Sequence, residues 1–98
     1  MIEIVAIRLA EGSGHEHVTD LMWRGVSLRA FSNTSIGQST TQGLVDWLSL
    51  RGGHQAVVED GSRYQQVLVV RLAERPPHVR ARNNEDQWTD ALLALPTF

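Results

Sequence analysis

The sequence of 98 residues contains no cysteine and no lysine, and its nine basic residues are all arginine. Without cysteine the chain can have neither disulfides nor thiol catalysis, and histidine and carboxylate side chains would have to hold any metal. The absence of lysine, in a composition rich in alanine, valine and leucine, is typical of codon bias in a GC-rich genome. It is weaker support for selected anion binding by arginine.

Long apolar runs are also missing. No segment approaches the ~20 apolar residues that a helix needs to span a bilayer. The first residues, Met1–Ile4, lack the basic flank and apolar run of a secretory signal. The formal net charge of −2 gives no bulk attraction to nucleic acid or to an anionic membrane. We therefore expect a cytoplasmic protein that does not bind membranes.

The composition is sufficient for one small domain. A chain of 98 residues with 42% hydrophobic and 20% charged residues can bury one core and does not have a disordered composition. No internal repeat or low-complexity tract divides the chain. We expect a single domain over residues 1–98.

The segment Ser39–Gly53 has the clearest helix signals in the chain. Ser39 can cap the first turn, and Gln42, three residues later, can return a hydrogen bond to the Ser39 backbone. Leu44 and Leu48 recur at helical spacing, and a glycine pair follows as a stop signal. The sequence predicts a helix over about 40–51.

Five segments have the β-branched and alternating composition of strands, and turns separate them. The predicted strands cover residues of about 2–10, 16–24, 54–60, 64–72 and 78–83. With the helix they give the order β-β-α-β-β-β, an α+β domain with an antiparallel sheet and the helix packed on one face. Residues 25–38 indicate mainly polar loop, and the tail 86–98 fits either helix or strand, with an extended or mixed course preferred.

Two histidines, His15 and His17, lie two residues apart at the start of the second predicted strand. On a strand their imidazoles would point to the same side, as ligands do in some metal sites. A third ligand would have to come from elsewhere, such as His54, His78 or a carboxylate. His15 and His17 are therefore weak metal candidates, a turn is the simpler interpretation, and we expect no cofactor.

Catalytic motifs are absent from the sequence. It contains no Gly-x-Ser-x-Gly elbow, no His-Glu-x-x-His pair and no phosphate-binding glycine loop. Enzymatic activity is therefore the minor interpretation, and no residue is predicted to be catalytic.

The strongest candidate for a binding surface is a cationic set near the last two predicted strands. Arg80 and Arg82 share a strand face, His78 lies beside them, and Arg71 belongs to the preceding strand. Planar guanidinium groups hold phosphates and carboxylates through paired hydrogen bonds. Trp88, if it borders this face, could stack on a flat ring. The alternative is a solvated face whose arginines pair with nearby acidic residues.

Three strings of the sequence resemble a known family. They are His-Glu-His-Val-Thr at His15–Thr19, Ala-Val-Val at Ala56–Val58 after the glycine pair, and the segment Trp88–Pro96. They are similar to a family of small bacterial and phage proteins catalogued as domain of unknown function 3892, and the resemblance spans most of the chain from Ile2 to Pro96. The family has no assigned activity. The resemblance therefore implies domain limits and a bacterial or phage origin, and it carries over no catalytic residue.

These observations predict a small non-enzymatic binding protein that recognises an anionic partner, either a nucleotide-like small molecule or a nucleic acid. The ligand-binding residues would be Arg71, His78, Arg80, Arg82 and Trp88. We also expect a homo-oligomer, because the first strand is apolar on both faces and the core is small.

Two alternatives from other functional classes stay open. One is a bacterial or phage adaptor that docks on a host protein through Trp23 or the 25–38 loop. The other is a small metal-dependent hydrolase that uses His15, His17 and a carboxylate.

Overall fold

The computed structural model describes residues 1–12, 14–25, 36–50, 54–61 and 63–98. This part of the chain contains seven strands: β1 (Ile2–Leu9), β2 (Val18–Gly25), β3 (Ile36–Thr40), β4 (Ala56–Asp60), β5 (Arg63–Val70), β6 (His78–Arg82) and β7 (Trp88–Thr89). It also contains one helix, α1 (Thr41–Leu48), and a 3-10 turn at His15–His17. No helix of the described residues is long and apolar enough to cross a membrane.

All seven strands belong to one sheet, in the order β3-β2-β1-β4-β5-β6-β7. The pairs β1–β2, β4–β5 and β5–β6 are antiparallel, as expected for strands that follow each other through short connections. The described residues thus form one helix on one sheet, which confirms the α+β class in coarse terms, although strands dominate.

The prediction of a purely antiparallel sheet is wrong, because β1 and β4 are parallel at its centre. Ile2 lies beside Ala56 and Ile4 beside Val58 in this pairing. The cause is the crossover β3-α1-β4, because a helix between two strands returns the chain to the end from which the first strand started. β4 pairs with the edge of β1 opposite to β2. The spatial order of the strands therefore also differs from their order in the sequence.

β3 lies where the sequence indicates loop. It pairs antiparallel with β2, and its polar sequence lacks the alternation of a half-buried strand. Gly37 faces Trp23 in this ladder, and a Cβ atom at Gly37 would collide with the indole ring. A close approach of ring and backbone, which only glycine permits, therefore replaces the usual apolar contacts. The rest of the predicted loop, residues 26–35, lies outside the described residues.

α1 begins one residue later than its predicted cap requires. Thr40 is the N-cap, and its Oγ1 accepts a hydrogen bond from the Gly43 backbone N–H at 3.0 Å. Ser39 still belongs to β3, opposite Leu21, and its Oγ accepts a hydrogen bond from the Trp23 indole N–H at 3.0 Å. The capping-box prediction is wrong because pairing with β2 holds the chain in the sheet as far as Thr40.

The remaining predicted boundaries differ from the structure at their ends. α1 ends at Leu48 rather than near residue 51, and the predicted glycine stop lies among the residues outside the description. The second strand begins at Val18 instead of residue 16, because His15–His17 form a 3-10 turn. The strands predicted at 54–60, 64–72 and 78–83 correspond to β4, β5 and β6.

One hydrophobic core joins the sheet, α1 and the tail. Residues paired across the ladders lie on the same face, and one face carries the buried side chains of β1, β2, β4, β5 and β6. The buried members of the core are Ile4, Ile7, Val18, Leu21, Leu44, Val45, Ala56, Val58, Val67, Val79, Ala81 and Leu92.

The C-terminal tail is part of this core. β7 pairs with β6, turns follow, and Leu92 within them is fully buried. The chain then runs parallel to β1: the Ile7 N–H donates to the Pro96 carbonyl at 3.0 Å, and the Phe98 N–H donates to the Ile7 carbonyl at 3.1 Å. The tail therefore occupies the edge of β1 that β4 leaves unpaired beyond Ile4.

Candidate functional site

The five residues predicted to bind an anion line two different clefts. Arg71, Arg82 and Trp88 line a cleft of about 400 Å³, here named the tryptophan cleft. His78 and Arg80 line a larger cleft of about 660 Å³, here named the histidine cleft. The five predicted residues therefore belong to two separate clefts, and residues from other parts of the chain also line each cleft.

The tryptophan cleft is built on three neighbouring strands. Gln66 of β5 lies beside Arg82 of β6, which lies beside Trp88 of β7, so the three side chains form a row on one face of the sheet. The other lining residues include Ser49, which caps the C-terminal end of α1, and Gln55, which precedes β4. The strand register places Gln66, Arg82 and Trp88 in their row, and the crossover from α1 to β4 brings Ser49 and Gln55 to the cleft.

Arg71 is oriented by the end of the helix. Its Nη2 donates to Ser49 Oγ at 3.1 Å, and the Ser49 hydroxyl donates to the Val45 carbonyl at 2.7 Å. Within the described part of the chain, Arg71 has no carboxylate partner. Its guanidinium is thus held at the cleft with donors to spare for a ligand.

Arg82 and Trp88 form a cation–π contact in the same cleft. The Arg82 Cζ atom lies 5.7 Å from the centroid of the indole ring. Arg82 Nε is 3.8 Å from a carboxylate oxygen of Asp86, which is beyond hydrogen-bond distance. Trp88 is 43% exposed, so a ligand can reach its ring.

The charge of the tryptophan cleft is positive. Its described lining residues include two arginines and no aspartate or glutamate, and the glutamines Gln55 and Gln66 add amide donors and acceptors. His54 also lines the cleft, and its ring packs against Trp47 at an interplanar angle of 34°, with 4.6 Å between the ring centroids. The cleft offers an aromatic surface, two cations and neutral hydrogen-bonding groups.

The histidine cleft is lined by the 3-10 turn, the start of α1 and the connection between β5 and β6. The turn contributes His15, Glu16 and His17, and the connection contributes Arg75. The expectation that His15 and His17 project from one face of a strand is wrong, because both lie in the 3-10 turn, where the period of two does not apply.

Burial distinguishes His15 from His17. The His15 side chain is only 9% exposed, and its Nε2 atom has no hydrogen-bond partner among the described residues. The nearest carboxylate, Asp90 Oδ1, is 3.9 Å away and lies 3.2 Å from Arg80 Nη2. Arg80 also donates through Nε to the Thr89 carbonyl at 3.2 Å.

Two imidazoles of the histidine cleft have lowered pKa values. Burial, followed by the Arg80 cation, lowers the pKa of His15, and Asp90 and Glu16 oppose this only in part. Burial also lowers the pKa of His78; Arg80 and Arg75 add to the effect, and Glu16 opposes it. Both side chains are therefore biased towards the neutral form.

The described residues contain no group of three or more histidine, cysteine or acidic side chains placed to hold a metal ion. His17 Nδ1 accepts a hydrogen bond from the Gly14 N–H at 3.1 Å, which removes that nitrogen as a ligand. The metal-dependent hydrolase has no geometric support in this part of the chain.

The adaptor alternative has little support at Trp23. The Trp23 ring packs against the core and is covered by Gly37, and its indole N–H is bonded to Ser39. Most of the 25–38 loop lies outside the described residues, so docking through that loop stays a prediction.

Several cleft residues carry no sequence signal of their own. Ser49 and Gln55 reach the tryptophan cleft through the parallel crossover, which local patterns did not indicate. Gln66 could have been found, because its strand alternates and pairs in register with a strand that carries Arg82. Arg75 lies close in the sequence to Arg71 and Arg80, but its position at the histidine cleft depends on how the Pro76–Pro77 connection folds.

Comparison with known proteins adds no relative. The sequence matches no protein-family model, and the searches of curated proteins and of solved structures gave no significant match. The resemblance to the domain-of-unknown-function family stays a prediction.

Proposed function

We propose that this protein is a non-enzymatic binding protein for an anionic, nucleotide-like small molecule, which it holds in the tryptophan cleft. The observation that carries the proposal is the composition of that cleft. The exposed ring of Trp88 lies beside the Arg82 guanidinium, Arg71 is held nearby, and no described lining residue is acidic.

Each part of such a ligand has a matching group. A flat base can stack on Trp88, as bases do on exposed aromatic side chains. A phosphate can accept hydrogen bonds from Arg71 and Arg82, whose planar groups suit two oxygens at once. Gln55 and Gln66 can donate to and accept from the edge of the base.

The size and charge of the site favour a small molecule over a nucleic acid. A volume of about 400 Å³ lies within the usual range of small-molecule sites. The chain has a formal net charge of −2, whereas proteins that bind nucleic acid through the backbone present extended basic surfaces. A nucleic-acid partner is therefore the alternative outcome of the test.

The test compares ligands that contain only part of a nucleotide. A panel of nucleoside monophosphates should raise the melting temperature, because a ligand that binds the native state stabilises it. In calorimetry, Arg71→Gln should weaken nucleotide binding about tenfold, the loss expected for one charge-assisted hydrogen bond. Trp88→Leu should cost about 1–3 kcal/mol with a nucleotide and have little effect with ribose phosphate, which has no base to stack.

Arg63→Gln is the matched control, because it removes an exposed arginine that lines neither the tryptophan cleft nor the histidine cleft. The proposal fails if no nucleotide stabilises the protein, or if Arg63→Gln weakens binding as much as Arg71→Gln. Binding of single-stranded oligonucleotides without binding of mononucleotides, with affinity that decreases as salt increases, would identify a nucleic-acid partner instead.

A further inference from the structure

The histidine cleft contains charged groups that the tryptophan cleft does not use. Arg75 is exposed, and within the described residues no carboxylate pairs with it. Arg80 donates through Nη2 to Asp90 and through Nε to the Thr89 carbonyl, and its other N–H groups are left as donors for a ligand. His78 lies on the same face of β6 as Arg80, and both line the cleft.

An unpartnered buried nitrogen marks the wall of this cleft. His15 Nε2 lacks a hydrogen bond, although buried polar atoms in native proteins are nearly always paired. The Asp90 carboxylate lies 3.9 Å from it but is bound to Arg80 at 3.2 Å. The Asp90 side chain is 75% exposed, so it is free to change partner.

We propose that the histidine cleft is a second ligand site, for a small oxyanion that Arg75, His78 and Arg80 hold. The oxyanion group is that of a phosphate or a carboxylate. When it binds Arg80 it competes with Asp90, and the released Asp90 carboxylate moves to His15 Nε2 and gives that atom its missing partner. Binding thus gives His15 Nε2 the hydrogen-bond partner that it lacks while Asp90 is bound to Arg80.

This second site is independent of the tryptophan cleft. The two clefts share no lining residue among those described. Arg80 and Arg82 lie two residues apart on the same face of β6. The Arg80 side chain contacts Asp90, whereas the Arg82 side chain contacts the Trp88 ring. Either site can therefore be removed by substitution without touching the other.

The test follows the histidine side chains by NMR during titration with inorganic phosphate and, in a separate arm, with malonate. The pKa of His78 should rise in the presence of the anion, because the bound charge opposes the effect of Arg75 and Arg80. The pKa of His15 should rise as well, because Asp90 approaches it. Preference for phosphate or for malonate identifies the oxyanion group.

Arg75→Gln should weaken the anion about tenfold, the loss expected for one charge-assisted hydrogen bond, whereas Arg71→Gln should leave the response of His78 unchanged. Asp90→Asn should reduce the response of His15, which then reflects only the direct effect of the bound anion, and should keep the response of His78. The proposal is wrong if neither anion shifts His78, or if Arg75→Gln leaves its response intact. An unchanged response of His15 in Asp90→Asn would overturn the exchange of Asp90 between its two partners.

Discussion

His15 shows how a single residue acquires its character from its surroundings. By sequence it belongs to a polar His-Glu-His string after a glycine-rich turn, where a solvated imidazole is the simple interpretation. In the structure it is buried, with the Arg80 cation and the Asp90 carboxylate beside it. Both neighbours come from the C-terminal third of the chain, so no local pattern could have predicted them.

The lowered pKa values of His15 and His78 predict that acid destabilises the protein. Between the folded pKa and the ordinary value of 6.5, the unfolded chain binds more protons than the folded one. The free energy of unfolding should therefore fall as the pH falls below about 6.5, and the loss is complete below the folded pKa values. Urea denaturation at a series of pH values measures this dependence.

His15→Gln and His78→Gln should each reduce the dependence on pH, and the double variant should reduce it most. A free energy of unfolding that decreases equally in the wild type and in the double variant between about pH 7 and about pH 5 would contradict the assignment to these imidazoles.

The crossover β3-α1-β4 is the element that decides the architecture. The sequence predicts α1 approximately, but it does not predict β3, because the residues of β3 are mostly polar. The turn between β4 and β5 has a local signal in the sequence, because Glu59–Ser62 is rich in turn residues, and Gly61 takes up a positive φ of 65° there. Turn chemistry is local, whereas the pairing of β3 with β2 depends on the contact between Gly37 and Trp23.

The start of α1 can be tested at its cap. Thr40→Ala removes the side-chain acceptor of the Gly43 N–H and should lower the free energy of unfolding by about 1 kcal/mol, while Thr40→Ser should retain most of it. Equilibrium denaturation gives the stability, and hydrogen exchange of the Gly43 amide reports the cap directly.

Ser39→Ala is the informative comparison, because it removes the acceptor of the Trp23 indole and leaves the cap intact. It should not speed exchange of the Gly43 amide. Faster exchange in Ser39→Ala than in Thr40→Ala would mean that Ser39 is the cap after all.

At the scale of the whole molecule, the tail closes the core. Leu92 is fully buried although it lies in a turn, and the segment after it pairs with β1. Leu92→Ala should therefore destabilise the protein by about 2–5 kcal/mol, the usual cost of removing a buried leucine side chain. Chemical denaturation measures it, and Leu72→Ala, at an exposed leucine, is the matched control with little expected change. Equal effects of the two substitutions would show that the tail does not belong to the core.

The expected homo-oligomer also concerns the whole molecule. The sequence indicates an oligomer because β1 is apolar on both faces and the core is small. The buried side chains Ile4 and Ile7 of β1 belong to the protein's own hydrophobic core, so their burial does not require a second subunit. The oligomer stays a prediction, which light scattering on the purified protein can measure.

The sequence by itself determined the local features of this protein: five of the seven described strands, the turns between them, the approximate helix and the cationic composition of the last predicted strands. These follow from periodicity and turn residues, which act over a few neighbouring positions. The tertiary structure decided the parallel pairing of β1 with β4, the burial of His15 and the division of the predicted cationic set between two clefts. All three depend on contacts between residues far apart in the chain, where pairing and packing, rather than local preference, set the positions of the side chains.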